Sequence, residues 1–350
     1  MITHPRGPFA AGDQVQLTDP KGRQHRLVLS PGKTFHTHRG ALVHDDLIGQ
    51  PEGSLVTSAG GTPYVAFRPL LADYALAMDR GAAVVYPKDA AQIIGLADVF
   101  PGARVVEAGA GSGALSCWLL RAIGEAGSLT SFERRPDFAS IAAANVERYF
   151  GGPHPAWQLI VGDLDPAGLS DVDRVVLDML APWEHVAAAA TMLIPGGLLC
   201  CYVATTTQLA RSVGTMREQG NFAEPAAWET FQRGWHVDGL AVRPEHRMVG
   251  HTGFLITARR LADGVTAPPR RRRPSKGAEA ALAEAALAEA ALAEAALAQA
   301  ALAQAALAKA VPAEAAPAEA VPAEAVSPEA GGAGEVHDAG GSGETAREWN

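Results

Sequence analysis

The feature that most constrains the fold is a glycine-rich loop between an apolar run and a helical pattern. Its sequence is Val105-Val106-Glu107-Ala108-Gly109-Ala110-Gly111-Ser112-Gly113-Ala114. Glycines let the backbone turn sharply and approach a ligand, and the free amides at the start of a helix favour a carboxylate or phosphate. The spacing Gly109-x-Gly111-x-x-Ala114 also fits a dinucleotide fingerprint. The loop therefore predicts a nucleotide-like cofactor, but it does not decide which one.

The pattern around the loop predicts an α/β domain. From Gly102 onward, short apolar runs alternate with helical patterns, and Leu198–Ala204 is apolar almost throughout. Continuous apolar strands are typical of a parallel sheet that helices cover on both faces. We therefore predict a Rossmann-like, doubly wound sheet within residues 76–263, with Leu240–Val242 and Gly253–Ala258 as its closing strands.

The residues before this domain predict a different, smaller unit. Residues alternate between apolar and polar in Gln14–Thr18, and a second strand pattern covers Gln24–Leu29. A turn signal, Asp19-Pro20-Lys21-Gly22, lies between them. Short strands with such turns are typical of all-β domains, so residues 1–75 are predicted to form a small barrel-like or sandwich domain.

Residues 264–350 form an alanine-rich, low-complexity tail. An Ala-Glu-Ala-Ala-Leu repeat places a leucine at every fifth position, so the leucines spiral around a helix and do not form the stripe of a coiled coil. This pattern favours a solvated single helix, and the Pro-Ala-Glu repeats beyond Lys309 predict disorder. The basic run Arg270–Arg273 has two interpretations, contact with RNA or an aid to solubility.

Composition narrows the class of protein. No apolar run approaches the length of a membrane span, and Met1–Gly7 lacks the apolar segment of a signal peptide. Three cysteines, Cys117, Cys200 and Cys201, are too few to staple the fold, so we predict a reduced, cytoplasmic protein. The tail holds 7 Lys/Arg and 12 Asp/Glu, a net charge of −5. Since the whole chain has a net charge of −9, the residues before the tail carry −4. That balance argues against indiscriminate nucleic-acid binding, though a local basic face is compatible with it.

Three acids end successive predicted strands after the glycine loop. Glu133 suits the two hydroxyls of a ribose, with a surface salt bridge to Arg134 or Arg135 as the alternative. Asp163 suits an adenine amino group, with a helix cap or turn as the alternative. Asp178 ends the fourth strand. Ligands bind at the carboxyl ends of the strands in such sheets, so these acids are predicted to line one crevice.

Several segments together resemble the class I S-adenosylmethionine-dependent methyltransferases and, more closely, the bacterial tRNA (adenine-58-N1) methyltransferase family. The likeness covers roughly residues 7–262, and the Asp-Met-Leu-Ala-Pro-Trp and Tyr-Pro-Lys-Asp segments are its most specific parts. The matching segments are Phe35–Gly40, Tyr86–Ile94, Glu107–Ala114, Ser131–Arg135, Gly162–Leu164, Asp178–Glu184, Gln232–Trp235 and His251–Leu255.

The resemblance implies a seven-stranded methyltransferase sheet, S-adenosyl-L-methionine as methyl donor, tRNA as substrate and a homotetramer. It implies that Glu133 holds the ribose and Asp163 the adenine of the donor, and that Gln92 supports the cofactor pocket. It also implies that Asp178 contacts both the target adenine and the amino end of the donor. The methionine part would be held by Glu107, Gly109, Gly111, Ser112, Gly113, Ala114 and Leu115.

The implied reaction sets simple chemical requirements. N1 of neutral adenine carries a lone pair, so it needs no prior deprotonation, and no metal is required. A carboxylate beside the exocyclic amino group can accept its N–H and stabilise the developing charge, a catalytic role that suits Asp178. Tyr86 is the second predicted catalytic residue, as a ring that borders the extruded base, with a packed aromatic as the alternative. His251 either contacts the acceptor or RNA, or it is structural.

Three other functions are compatible with parts of the sequence. A dinucleotide-dependent oxidoreductase uses the same kind of glycine loop. A non-catalytic tRNA-binding subunit could keep a relic pocket, although the complete set of acids argues against it. A methyltransferase of an adjacent adenine would carry the same residues, because the sequence does not determine the nucleotide position.

Overall fold

The computed structural model describes residues 6–268 and five isolated positions of the tail. Those five positions are helical and exposed: Glu284, Leu287, Ala288, Ala291 and Glu294. The solvated helix predicted for the tail as a whole stays a prediction. The basic run Arg270–Arg273 and the disorder predicted beyond Lys309 lie outside the described residues. The chain divides into residues 1–270 and residues 271–350, and the features below belong to the first part.

The N-terminal residues form the predicted β domain. Its strands are Gln14–Thr18 (β1), Gln24–Val28 (β2), Thr34–Thr37 (β3), Gly40–Val43 (β4), Leu55–Thr57 (β5) and Pro63–Phe67 (β6), with a 3₁₀ turn at His44–Asp46. An antiparallel sheet has the order β2-β1-β6-β5, and β3 and β4 form a separate hairpin. Val15, Leu17 and Tyr64 are buried in its core. Because β2 and β5 are edge strands, hydrogen bonds do not close this sheet into a barrel.

The larger domain alternates helices and strands as the sequence predicts. Its helices are Leu71–Ala77 (α1), Pro87–Leu96 (α2), Ala114–Ile123 (α3), Pro136–Phe150 (α4), Val186–Met192 (α5) and Thr206–Gln219 (α6), with a 3₁₀ turn at Pro182–His185. Its strands are Arg104–Ala108 (β7), Ser128–Glu133 (β8), Trp157–Val161 (β9), Val172–Asp178 (β10), Leu193–Val203 (β11), Ala226–Glu229 (β12), Gln232–Asp238 (β13), Ala241–Val249 (β14) and Phe254–Arg259 (β15).

Seven of these strands form the predicted sheet, in the order β12-β15-β11-β10-β7-β8-β9. The strands from β11 to β9 are parallel, and β15 is antiparallel to both β11 and β12. The predicted α/β class and seven-stranded methyltransferase sheet are therefore confirmed. Its parallel strands all end at the same edge, which is where the predicted acids lie.

The sheet is buried on both faces, which explains its continuous apolar strands. Val105 and Cys200 belong to the core that includes residues of α1, α2 and α3, whereas Val106 and Cys201 belong to the core that includes residues of α5 and α6. Neighbouring residues of a strand point to opposite faces, so both must be apolar. Cys117, Cys200 and Cys201 are buried and unpaired, in agreement with a packing role.

The prediction for one closing strand is wrong. Phe254–Arg259 closes the sheet as expected, but its outer partner is β12 and not Leu240–Val242. Residues 241–249 instead pair with β13 in a two-stranded hairpin outside the sheet. The apolar residues of this hairpin, such as Val237 and Leu240, are exposed, so they follow a strand pattern without facing a core of this chain.

The predicted boundary between residues 75 and 76 falls inside α1, which spans Leu71–Ala77. Leu71 and Tyr74 pack in the core of the larger domain, so α1 belongs structurally with the sheet. The division of the chain at residues 75 and 263 is otherwise a prediction. Among the described residues, no helix is both long and apolar enough to cross a membrane.

Candidate active site

A cavity of about 1030 Å³ opens at the carboxyl edge of the parallel strands. Ala108, Glu133 and Asp178 end three neighbouring strands there and all line the cavity. Tyr202 lines it too, because the register of β10 and β11 places this residue directly opposite Asp178. This is the crevice in which doubly wound sheets bind their ligands.

The glycine loop approaches the end of β10 very closely. Gly109 has a φ of +91°, and a Cβ atom there would lie 1.8 Å from the carbonyl oxygen of Asp178. The amides of Gly109 and Ala110 both donate to the carbonyl of Phe132, at 2.9 and 3.1 Å. Glycine at 109 is therefore required for the backbone to pass between the ends of β8 and β10. The result is an open strand edge beside the start of α3.

Glu133 is tied to this loop by its carboxylate. Oε2 accepts from the amide of Gly111 at 2.8 Å and Oε1 from the amide of Arg135 at 3.0 Å. The side chain is largely buried, and it borders the cavity. Each carboxylate oxygen has a second lone pair, so these two bonds fix the group and leave it able to accept from hydroxyls.

Glu107, in the strand that leads into the glycines of the loop, is buried and does not line the cavity wall. Its Oε2 accepts from Ser116 Oγ at 2.7 Å and from Ser131 Oγ at 2.6 Å, while its Oε1 has no partner among the described residues. Burial raises the pKa of Glu107 to about 7, against the opposing effect of the two serine hydrogen bonds. This acid supports the loop from the protein side, and its predicted contact with a cofactor stays a prediction.

Asp178 is the predicted catalytic acid of the cavity. No hydrogen bond or ion pair from the described residues reaches its carboxylate, although it lines the cavity. Burial raises the pKa of Asp178 to about 7, and the nearby charges of Glu107 and Glu133 act in the same direction. An unpaired carboxyl with a pKa near neutrality is suited to accept an N–H or to balance a cation.

Asp163 lies at the exposed rim of the cavity. Its side chain is 70% exposed, and Oδ1 is 3.7 Å from Nε of Arg134. Arg134, which was considered as an ion-pair partner of Glu133, therefore pairs with Asp163. Glu133 instead accepts hydrogen bonds from backbone amides. Asp163 remains accessible to a ligand in the cavity, because such an exposed ion pair holds its partners weakly.

The structure brings only part of the predicted set to the cavity. Tyr86, Gly109, Gly111, Glu133, Asp163 and Asp178 line it, whereas Gln92, Glu107, Ser112, Gly113, Ala114 and Leu115 do not. Ser112 acts on the wall indirectly, since its Oγ lies 3.2 Å from the amides of Gly81 and Ala82 and donates to the carbonyl of Ala82.

Sequence reasoning missed Gln208, which holds the loop after Asp178. Its Nε2 donates to the carbonyl of Leu180 at 2.9 Å, and its Oε1 accepts from the amide of Thr205 at 3.0 Å. Thr205 Oγ1 in turn accepts from the amide of Gln208. The spacing Thr205-x-x-Gln208 is a capping-box signature, so this α6 start was detectable in the sequence. Its reach to Leu180 depends on the tertiary fold.

His251 lines the cavity and is held from both sides of its ring. Nδ1 is 2.7 Å from Oε1 of Glu229, and Nε2 is 2.7 Å from the carbonyl oxygen of Ala204. Both partners are hydrogen-bond acceptors, so this geometry favours the form of the ring in which both nitrogens carry hydrogen. The Ala204 carbonyl, followed by Glu229, raises the pKa of His251 above its usual value. These bonds support the structural interpretation of His251.

Within residues 6–268, no three or more His, Cys, Asp or Glu side chains lie close enough together to hold a metal ion.

Comparisons with known proteins assign the family. A family model described as TrmI-like N-terminal matches residues 7–56, and one described as tRNA methyltransferase complex GCD14 subunit matches residues 66–240, half of the chain. The tRNA (adenine(58)-N(1))-methyltransferase TrmI of Thermus thermophilus is 36% identical over 246 residues, which are 70% of this chain and 95% of that protein. The chain belongs to the TrmI-like, GCD14-type tRNA methyltransferases.

Other members and neighbours of this family are similar over comparable lengths. The tRNA (adenine(57)-N(1)/adenine(58)-N(1))-methyltransferase TrmI of Methanocaldococcus jannaschii is 30% identical over 270 residues, with 69% of this chain and 93% of that protein covered. The crystal structure of a SAM-dependent O-methyltransferase from Thermotoga maritima superposes with a TM-score of 0.68 at 28% identity, covering 76% of this chain and 96% of that one. The methyltransferase family decides against the dinucleotide-dependent oxidoreductase.

Proposed function

We propose that this methyltransferase transfers the methyl group of S-adenosyl-L-methionine to N1 of adenine 58 in the T-loop of tRNA. The observation that carries the proposal is the unpaired carboxyl of Asp178, which lies on the cavity wall beside the glycine loop. The relatives named above support the substrate, because their names specify adenine 58 of tRNA.

The residues of the cavity fit the methyl donor. Glu133, Asp163 and Asp178 line one wall, and the buried Glu107 adds a fourth acid nearby. Burial raises the pKa of Asp178, and the charges of Glu107 and Glu133 raise it further; a bound cation would relieve this repulsion. When bound, S-adenosyl-L-methionine supplies an electrophilic methyl on a sulfonium, and its transfer leaves the positive charge on the base.

Each wall residue has a proposed role that follows from its position. Glu133, already fixed by the Gly111 and Arg135 amides, accepts the ribose hydroxyls of the donor. Asp163 accepts from its adenine amino group. Gln92, Glu107, Ser112, Gly113, Ala114 and Leu115 act through the loop and the surrounding core, since none of them lines the cavity.

Asp178 is proposed to bind the target base by accepting its exocyclic N–H. This contact selects adenine, orients N1 and opposes the positive charge that develops on the ring. The base must leave the folded RNA to reach this point. Tyr86 lines the cavity and is partly exposed, so its ring is available to border the extruded base.

Methylation of defined tRNA transcripts tests the proposed function. Four transcripts should differ only in carrying adenine at position 57, at position 58, at both or at neither. We expect N1-methyladenine, mapped by mass spectrometry, only where position 58 is adenine. Modification at both positions would favour the dual specificity in the name of the Methanocaldococcus relative. No methylation of any transcript would contradict the proposal and favour the non-catalytic tRNA-binding subunit.

We also propose a homotetramer in the cytoplasm. The hairpin β13–β14 carries exposed apolar side chains, which include Trp235, Val237, Leu240 and Val242. Contiguous exposed apolar surface of this kind is typical of a protein interface. The buried, unpaired cysteines and a tRNA substrate support a reducing cytoplasmic location.

Charge placed on the hairpin is expected to break the assembly. Val237→Asp together with Leu240→Asp should reduce the mass measured by light scattering from four chains to fewer, because buried unpaired carboxylates oppose association. Leu55→Asp, at a residue that is 70% exposed in β5, is the matched control and should leave the mass unchanged. A wild-type monomer, or a tetramer that survives both charges, would contradict the proposed interface.

A further inference from the structure

Beside the cavity, four polar side chains from distant parts of the chain form one cluster. Lys88 and Asp89 belong to the first turn of α2, Tyr202 to the end of β11, and Thr252 to the segment before β15. The side chains of Lys88 and Asp89 are 3% and 1% exposed, and Nζ lies 2.6 Å from Oδ1. A buried ion pair is stable only when its remaining hydrogen-bonding capacity is used, so the other two members matter.

The hydroxyl of Thr252 joins both members of this ion pair. Lys88 Nζ donates to Thr252 Oγ1 at 2.6 Å, and Thr252 Oγ1 donates its single hydrogen to Oδ2 of Asp89. The three side chains therefore form a closed ring of hydrogen bonds. Tyr202 extends the ring, because its hydroxyl donates to the same Oδ2 at 3.4 Å. A hydroxyl accepts and donates through the same oxygen, and serine is the natural replacement for Thr252 that keeps this hydroxyl.

The cluster continues directly into the cavity wall. Tyr202 and Thr252 line the cavity together with Tyr86 and Asp178. The backbone of Gly253 passes over the ring of Tyr202, since a Cβ atom on Gly253 would lie 2.4 Å from that ring. The ring is thus confined by Gly253 near its hydroxyl end, by Asp89 at the hydroxyl and by the pairing of β11 with β10 opposite Asp178.

We propose that Thr252, through the Lys88–Asp89 pair, is a positioning residue that holds Tyr202 and residues 251–253 as the wall against which the target adenine is aligned. The inference rests on the proposed function and adds residues to it. It also explains why Lys88 and Asp89 are buried together at the start of α2, outside the contacts that hold the glycine loop.

Thr252→Val is the sharpest variant, because it keeps the shape of the side chain and removes only the hydroxyl. We expect kcat for tRNA methylation to fall by about tenfold or more, since small errors in the alignment of reacting groups are costly. KM for tRNA should change little, because phosphate contacts elsewhere dominate RNA affinity. KM for the methyl donor should stay within about twofold of the wild-type value. Thr252→Ser, which restores the hydroxyl, should restore kcat.

Thr257→Val is the matched control for loss of a threonine hydroxyl. Thr257 lies five positions further on, accepts from Trp228 Nε1 at 3.4 Å and does not line the cavity. It should keep the kcat of the wild-type enzyme. Amide hydrogen exchange at residues 251–254 provides a readout that does not depend on turnover, and it should accelerate in Thr252→Val only.

The outcomes separate this inference from the proposed function. A wild-type enzyme that methylates tRNA, with equal kcat in Thr252→Val and Thr252→Ser, would overturn the inference alone. A loss in kcat that serine does not rescue, or one matched by an equal loss of donor affinity, would also overturn it. If the wild-type protein methylates no tRNA, the proposed function falls, and unchanged exchange at residues 251–254 would then reject the positioning role as well.

Discussion

Asp178→Ala is expected to lower kcat for tRNA methylation by on the order of 10²-fold or more, because a carboxylate placed where charge develops commonly contributes that much. Affinity for S-adenosylhomocysteine should stay within about threefold of the wild-type value, since Glu133 and the glycine loop remain in place. Single-turnover methylation and calorimetric titration measure the two quantities separately. Asp165→Ala removes an exposed carboxylate outside the cavity and should keep the wild-type kcat.

The pH dependence provides a second signature of the same carboxyl. The raised pKa of Asp178, about 7, means that in the free enzyme the group is protonated below neutrality, and the neutral carboxyl is a weaker acceptor that cannot oppose a developing positive charge. We therefore expect kcat/KM to rise with pH through about 7 and then level off. A bound sulfonium favours the ionised form, so the same limb in kcat should lie at lower pH. Equal kcat in Asp178→Ala and the wild type would exclude Asp178 from the reaction.

The sheet and its acids were predictable because local sequence determines them. Leu198–Ala204 must be buried on both faces, which restricts it to the middle of a covered sheet, and Glu133 and Asp178 end strands that local pattern can delimit. Parallel strands end at one edge, so residues 45 positions apart in the chain meet there without any further information. The same reasoning located Gly109.

The rest of the cavity wall depends on register and on tertiary contacts that no local pattern contains. Tyr202 lies opposite Asp178 only because of how β11 pairs with β10. Thr252 donates to Asp89, which lies 163 positions earlier in the chain. The misplaced strand Leu240–Val242 has the same cause. Its residues are apolar, but they are exposed in a hairpin outside the sheet, and the sequence of one chain carries no direct signal for that difference.

Gly109→Ala is expected to have the other large effect, because the added methyl collides with the end of β10. Its Cβ would lie 1.8 Å from the Asp178 carbonyl oxygen, so either the loop or the residue that carries the proposed catalytic carboxylate must move. A displacement of about 1 Å at a reacting group can cost on the order of 10²-fold in rate, and we expect kcat/KM for the methyl donor to fall by that order. Overpacking should also lower the free energy of unfolding by about 1–3 kcal/mol.

Gly102→Ala separates this collision from backbone strain. Gly102 has a φ of +88°, almost equal to the +91° of Gly109, but nothing lies within 4 Å of its added Cβ atom. Both variants therefore carry the cost of a left-handed alanine, roughly 1–2 kcal/mol, and only Gly109→Ala carries the collision. Thermal melts should show both losses of stability, while methylation kinetics should respond to Gly109→Ala alone. Equal activity in the two variants would mean that the contact between the loop and Asp178 does not set the geometry of methyl transfer.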